Sequence, residues 1–267
     1  MRRNLHDKSV LVTGASRGIG AALARQFAAK GARLALVARD ETALETLSSE
    51  LGGVAEVVCA DLSVEADRIR AMDEARAKLG PIDVLVNNAG RGLYGSVETL
   101  EPEQLRSTFE LNVVAPTHLC ALLLPSMRER KTGTIVMVSS VLGARAVPMS
   151  GGYCASKFAL EALCQSLRAE LVDSGVHVLV VRPGRTESSF REAAQSTGFR
   201  PNDTMQPMSA AKVAEASVRA VERGATRVNF TSAGRAMMAA ERVSPAIVDR
   251  VMSKLYRKMV KGTDAEQ

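Results

Sequence analysis

The sequence contains no Trp, and aromatic residues make up only 3% of its 267 positions. Platforms for single-stranded nucleic acid rest on exposed aromatic rings, so a nucleic-acid-binding role is poorly served. The four cysteines, Cys59, Cys120, Cys154 and Cys164, include no CxxC pair. That spacing argues against a zinc site or a disulfide framework, and for reduced thiols in a cytoplasmic setting. The three histidines, His6, His118 and His177, lack metal-ligand spacing and read as structural residues, with no metal expected. No uninterrupted apolar run approaches the ~20 residues that cross a bilayer, and the longest spans 119–125. Charged residues crowd the start without an apolar stretch before the first strand, which argues against a secretory signal peptide.

What is present is an ordinary globular supply of 46% apolar and 24% charged residues. It suffices for a sizeable core and predicts one domain over 1–267. The net charge is +6, from 35 basic and 29 acidic residues. The basic residues are dispersed except after Ala233, where Arg235, Arg242, Arg250, Lys254, Arg257, Lys258 and Lys261 face Glu241, Asp249, Asp264 and Glu266.

Short apolar runs at 9–13, 34–38, 54–59, 84–86, 134–138, 176–181 and 227–230 are rich in Val, Ile and Leu with little polar alternation. Strands buried on both faces have this composition, which implies a parallel sheet covered by helices. Amphipathic stretches at 21–30, 41–51, 67–79 and 156–172 lie between them. The repeated strand–helix order predicts an α/β fold: a doubly wound, Rossmann-like parallel sheet of about seven strands, with helices on both faces and a helical tail over 233–261. The segment 185–208 breaks this rhythm and reads as a lid.

The run from Val10 to Gly20 joins the first strand to the first helix through Gly14, Ala15, Ser16, Arg17, Gly18 and Ile19. Glycines there permit a tight turn and a close approach of backbone to a pyrophosphate, and the helix N-terminus adds N–H groups and a positive dipole end. Gly14, Ser16, Arg17, Gly18, Ile19 and Gly20 are therefore candidate cofactor-binding residues. Roughly twenty residues on, an acid would select the adenine ribose and an Arg a 2′-phosphate. The second strand ends at Val37-Ala38-Arg39-Asp40. Asp40 followed by Glu41 resembles a helix N-cap. Arg39, helped by Arg17, then reads as the phosphate contact, which favours NADP(H) over NAD(H). The alternative is Asp40 on the ribose with Arg39 a solvated charge.

Tyr153 and Lys157 lie at i and i+4, on one face of a helix. A phenol with pKa of about 10 exchanges protons poorly near neutrality, and an adjacent ammonium is expected to lower that value. Ser140 stands thirteen residues upstream of Tyr153, after a strand ending near Ser139.

With these residues in place, the chain resembles the short-chain dehydrogenase/reductase family over nearly its whole length. The resemblance rests on 13–20, Asp61-Leu62, Asn87-Asn88-Ala89-Gly90, Asn112, Ser140, Tyr153 with Lys157, and Pro183-Gly184, in family order and spacing. It implies that Tyr153 is the general acid in reduction and the base in oxidation. It implies that Lys157 acts on Tyr153 and on the nicotinamide ribose, that Ser140 bonds the substrate oxygen, and that Asn112 holds a water in a relay to Lys157. Asp61, with Leu62, would contact adenine, and Asn88, Ala89 and Gly90 would line the cofactor cleft. Pro183, Gly184, Thr186 and Ser188 would flank the nicotinamide, Ser188 replacing the usual Thr. Plainer roles stand beside these. Asn87 and Asn88 could satisfy backbone at a strand end, Asn112 could bend a helix near Pro116, and Ser139 could replace Ser140. Arg185 and Glu187 form a surface pair or shape substrate choice.

The wall around the chemistry is expected to include Gly92, Leu93, Tyr94, 142–145, Met149, Phe190, Phe199 and Met205. Mostly apolar lining with soft Met suits an apolar ketone or aldehyde. The helix around Tyr153 is closest to the hydroxysteroid- and retinol-dehydrogenase-like branch, with 3-oxoacyl thioester reduction as an alternative and a non-catalytic NADP(H) sensor as a rival of another class. The tail repeats Ile247, Val248, Val251, Met252, Leu255, Tyr256, Met259 and Val260 at helical spacing. Its apolar face packs on the protein or a partner subunit, the favoured reading, or lies on an anionic membrane. By resemblance, helices around 104–127 and 156–172 pair subunits into a homo-oligomer, a dimer or tetramer.

Overall fold

The computed structural model describes residues 3–187, 190–199, 206–230, 236, 240 and 243–263, with the side chains of 258 and 260–263 left out. In chain order the strands are β1 (Ser9–Thr13), β2 (Arg33–Ala38), β3 (Ala55–Cys59), β4 (Val84–Asn87), β5 (Leu93–Tyr94), β6 (Gly133–Val138), β7 (Val176–Arg182), β8 (Gln195–Ser196) and β9 (Arg227–Asn229). Seven of them form one sheet in the order β3-β2-β1-β4-β6-β7-β9, with every pairing parallel. Each lies within one residue of its expected run. The pair β5 and β8 forms a separate two-stranded sheet that the sequence does not announce, because two residues carry no periodicity.

The apolar runs lack polar alternation because both faces of the sheet are covered. Val10, Val12, Leu34, Leu36, Val84, Val86, Val136, Val138, Leu179 and Val181 enter one core. Leu11, Ala35, Val37, Leu85, Ile135, Met137, Val178 and Val180 enter the other. Helices α1 (Gly18–Ala28), α2 (Glu41–Glu50) and α7 (Ala210–Arg223) cover the first face. Helices α3 (Glu65–Leu79), α5 (Ala115–Glu129) and α6 (Gly151–Glu170) cover the second. Each fully buried Leu or Val contributes about 1.5–3 kcal/mol of transfer free energy.

Three expectations about helices need correction. α1 opens at Gly18, inside the glycine loop, and α6 opens at Gly151, so both begin before their amphipathic stretches. The stretch 104–127 is not one helix. It comprises α4 (Pro102–Phe109), a π-turn over Glu110–Val114, and α5. Pro116 has no N–H to give to the carbonyl four residues back, that of Asn112, which breaks the α-helical ladder there. The whole stretch Pro102–Glu129 is also long and apolar enough, by length and composition, to cross a membrane, contrary to the reading from uninterrupted runs. Here Leu119, Leu123 and Met127 are buried in the second core.

The tail helix, Pro245–Thr263, packs on the protein along one face. Val248 is buried, Met259 packs against Tyr94, Ala194 and Phe199, and Asp249 pairs with Arg145 at 2.7 Å. Its other face leaves Ile247 and Val251 exposed beside Arg250, Lys254 and Arg257.

Candidate active site

In a doubly wound sheet, ligands bind beyond the carboxyl ends of the strands where the order reverses, here between β1 and β4. Gly14 and Gly18 hold φ of +62° and +56°, a left-handed backbone that favours glycine. Gly20 is required by space: a Cβ there would collide with the Gly14 carbonyl oxygen and lie 2.6 Å from Asn88 Nδ2. The N-cap, Arg17, makes no side-chain cap bond, and the first turn of α1 holds no acid. The glycine cradle and this helix end together fit a dinucleotide pyrophosphate.

Thr13 fixes the other wall. Its Oγ1 accepts from the N–H groups of Asn88 (2.9 Å) and Ala89 (3.0 Å) and donates to the Val86 carbonyl at 3.1 Å. The Asn88 side chain donates to the Thr13 and Gly14 carbonyls at 3.0 and 3.1 Å. Asn88 thus satisfies backbone at the strand end, the plainer of its two readings, and by doing so ties β4 to the glycine loop.

At the ribose end, Asp40 Oδ1 accepts from Ala43 N at 3.1 Å and caps α2. Arg39 is two-thirds exposed, with its guanidinium 3.7 Å from Asp61 Oδ2, and Arg17 is exposed. Asp61 Oδ1 accepts from the Ser63 N–H and hydroxyl at 2.9 and 2.7 Å. Burial pushes the Asp61 carboxyl upward, but the Ser63 bonds and the charges of Arg39 and Arg91 hold it below its ordinary range. Leu62 departs from expectation. Its side chain belongs to the second core and its carbonyl accepts from Arg68 at 2.9 Å, so it offers a nucleotide no side-chain contact.

Helix α6 presents Tyr153 and Lys157 on one buried face, with the Lys157 Nζ 5.8 Å from the Tyr153 ring centre. Ser140, two residues beyond β6, hydrogen-bonds Tyr153 and accepts from Leu142 N at 3.1 Å. The spacing thus picks the serine that the structure places against Tyr153; the Ser139 hydroxyl is buried and has no partner among the described residues. Asn112 lies behind the pair. Its Oδ1 accepts from Arg91 N (2.8 Å), and its Nδ2 donates to Arg91 O (2.9 Å) and Ser156 Oγ (3.0 Å). Three bonds commit this amide to clamping the segment after Gly90. Ser156 in turn donates to the Tyr153 carbonyl at 2.7 Å. Sequence reading overlooked Ser156, although a serine inside the Tyr–Lys spacing is the available signal.

The expected lowering of the Tyr153 pKa is not found. Burial raises it, opposed by the Ser140 bond. Burial also lowers Lys157, to about 8. The ammonium spends one donor on the Val138 carbonyl at 3.0 Å rather than on the phenol. The protein's own groups thus hold Tyr153 as a proton-bearing acid at neutral pH.

A family model described as short chain dehydrogenase matches residues 8–198. The chain belongs to the short-chain dehydrogenase/reductase family. It is 35% identical over 267 residues to "Dehydrogenase/reductase SDR family member 7B" of Mus musculus, covering 95% of this chain and 83% of that protein. A short-chain dehydrogenase from Sphingobium yanoikuyae in complex with NADPH has a TM-score of 0.76 at 31% identity, covering 88% and 94% of the two chains. A family member from Burkholderia phymatum in complex with NAD has a TM-score of 0.82 at 25% identity, covering 90% and 94%. The protein is an NAD(P)-dependent oxidoreductase.

In this short-chain dehydrogenase/reductase, the exit of β7 carries Pro183 and Gly184, and the Pro183 carbonyl accepts from Val141 N at 3.0 Å, next to Ser140. Thr186 Oγ1 donates to the Gly184 carbonyl at 3.2 Å, and Thr186 bridges to Met208, bringing together the two ends of the intervening segment. The expected contacts Ser188 and Met205 lie outside the described residues. Phe190 meets Tyr153 edge to face at 5.9 Å. Tyr94, Ala194 and Phe199 form a small cluster with Met149 and Met259 packed on it. The wall is apolar as expected, but the tail helix contributes to it, which the sequence does not reveal.

Proposed function

We propose that this enzyme reduces an apolar ketone or aldehyde, of lipid, steroid or retinoid type, with NADPH preferred over NADH. The observation that carries the reading is the buried Tyr153, bonded to Ser140 beside an apolar wall. The side chain of Ser140 would hydrogen-bond the carbonyl oxygen as charge develops on it, and Tyr153 would give that oxygen its proton. A bound NADPH would supply the hydride to the carbonyl carbon. Lys157 would hold a positive charge beneath the phenol and bond the nicotinamide ribose. Gly14, Ser16, Gly18, Ile19 and Gly20 would hold the pyrophosphate, and Arg39 with Arg17 the 2′-phosphate. NADPH is preferred because Asp40 is committed to capping α2, whereas Arg39 stays exposed.

The reading includes a homo-oligomer in the cytoplasm. Val114, Phe158 and Leu163 lie exposed on the helices expected to pair subunits, and the four cysteines are free thiols. The test is NADPH oxidation against steroids, retinal, medium-chain aldehydes, quinones and 3-oxoacyl thioesters, with Tyr153→Phe alongside. Turnover on an apolar carbonyl, lost by at least about 100-fold in Tyr153→Phe with NADPH affinity kept, supports it. Equal turnover by the variant would refute the role of Tyr153, and activity confined to thioesters would replace the substrate class.

A further inference from the structure

Behind Tyr153 and Lys157 lies a buried ion pair that the mechanism does not use. Glu161 is one turn beyond Lys157 on α6 and only 3% exposed. Arg182 is the last residue of β7, and its Nε and one terminal nitrogen donate to the two Glu161 carboxylate oxygens at 2.7 and 2.6 Å. The two side chains are 4% and 11% exposed, so the contact is a desolvated, bidentate fork. It joins the helix that carries Tyr153 and Lys157 to the strand end that leads into Pro183 and Gly184. The loop after Ser140 is tied to the same strand end by the bond from Val141 N to the Pro183 carbonyl. Gly143, in that loop, has no room for a side chain: a Cβ there would lie 2.7 Å from Ser139 Oγ and 3.2 Å from Glu161 Cγ.

The charges around the pair are unequal. From α6 come Lys157 and Arg168, with the Cys164 thiol between them. From β7 comes Arg182, and from β9 Arg227 acts on Arg168. The Glu161 carboxylate acts on all four of Lys157, Cys164, Arg168 and Arg182. Burial works against the Lys157 ammonium, and Cys164 and Glu161 work for it. Without the Glu161 charge, Lys157 would lose a carboxylate that favours its ammonium, while Arg168 and Arg182 would remain.

We propose that Glu161 is a positioning residue: locked by Arg182, it is the counter-charge that keeps Lys157 ionised beneath Tyr153 while pinning the β7 exit to α6. This rests on the roles given above to Tyr153 and Lys157, so the experiment must read Lys157 directly as well as through turnover. Lys157 is titrated by NMR of lysine labelled at Cε with carbon-13, its resonance identified by its loss in Lys157→Met. The pH profile of kcat/KM is measured on the same proteins. In Glu161→Gln the midpoint of the Lys157 titration is expected to fall by about one pH unit, and the alkaline limb of kcat/KM to move with it. Glu161→Asp restores part of the shift.

Glu161→Gln takes the bidentate carboxylate from the buried Arg182 and risks unfolding. Glu161→Gln with Arg182→Met removes both charges while keeping volume, and the same downward shift is expected in that folded variant. Lower turnover with both midpoints unchanged means that Glu161 only supports the fold, and overturns the proposal. A Lys157 midpoint that falls while the kcat/KM limb stays fixed upholds the counter-charge and refutes the role of Lys157 in turnover instead.

Discussion

Around the ends of β1 and β4 the candidate cofactor site is built mainly of backbone. Gly14 and Gly18 are left-handed, Gly20 leaves no space for a Cβ, and Thr13 and Asn88 spend their polar atoms holding main chain in place. Around β5 and β8 the surface is made of side chains: Tyr94, Phe190, Phe199, Met149 and Met259, drawn from segments far apart in sequence. The backbone half tolerates little change, because each glycine is fixed by a dihedral angle or by an atom beside it. The side-chain half is adjustable, because soft and aromatic residues repack at modest cost. On the proposed reading, the first half would hold the nicotinamide cofactor, and the second could vary its substrate without touching that recognition.

That contrast can be broken most directly at Gly20. Gly20→Val should weaken NADPH binding by about 100-fold or more and lower the melting temperature, read by nucleotide fluorescence and thermal unfolding. Retained affinity would mean the cradle adapts as freely as the substrate wall. A smaller effect is expected where the backbone half does use side chains. Arg39→Ala should weaken NADPH about 10- to 100-fold and leave NADH within about twofold; an equal loss for both would remove the 2′-phosphate contact.

The seam between the halves should show in pH. Burial lowers Lys157 from 10.5 to about 8, so the unfolded chain binds the extra proton between those values. Stability is therefore expected to rise with pH from about 8 to 10.5, while kcat/KM falls as Lys157 loses its charge above about 8. Denaturant midpoints at pH 7 and pH 9.5 should differ less in Lys157→Met than in the wild type. The reverse slope would contradict the burial of an ammonium. The smallest effect belongs to the adjustable wall: Met259→Ala should change KM for bulky apolar carbonyls by a few-fold and leave NADPH affinity unaltered in parallel titrations.

What the sequence makes legible follows the same division. The seven sheet strands can be read because alternate residues enter two apolar cores, leaving unbroken Val and Leu runs. The glycine loop, the Asp40 cap, Ser140, Tyr153 and Lys157 can be read because each depends on spacing within one or two adjacent elements. The pairing of β5 with β8, the Met259 contact and the Glu161–Arg182 fork join distant segments, and no local pattern reports them. The break before α5 agrees with the plainer reading of Asn112 as a helix bend near Pro116, whose missing N–H frees the Asn112 carbonyl. The direction of the Tyr153 pKa could not be read, since it depends on how deeply the phenol is buried.

The bridge between Thr186 and Met208 has a consequence for how such an enzyme can diversify. It brings together the two ends of the intervening segment beside the sheet, so the chain between them is closed at its base before it reaches any substrate. The entropy of closing a flexible loop grows only logarithmically, by about 0.6 kcal/mol for each doubling of its length. A change of length between these two residues therefore costs little chain entropy, provided that it keeps β8 on β5, Phe190 on Tyr153 and Phe199 in the Tyr94 cluster. The Thr186–Met208 bridge is a mount that such changes of length leave in place.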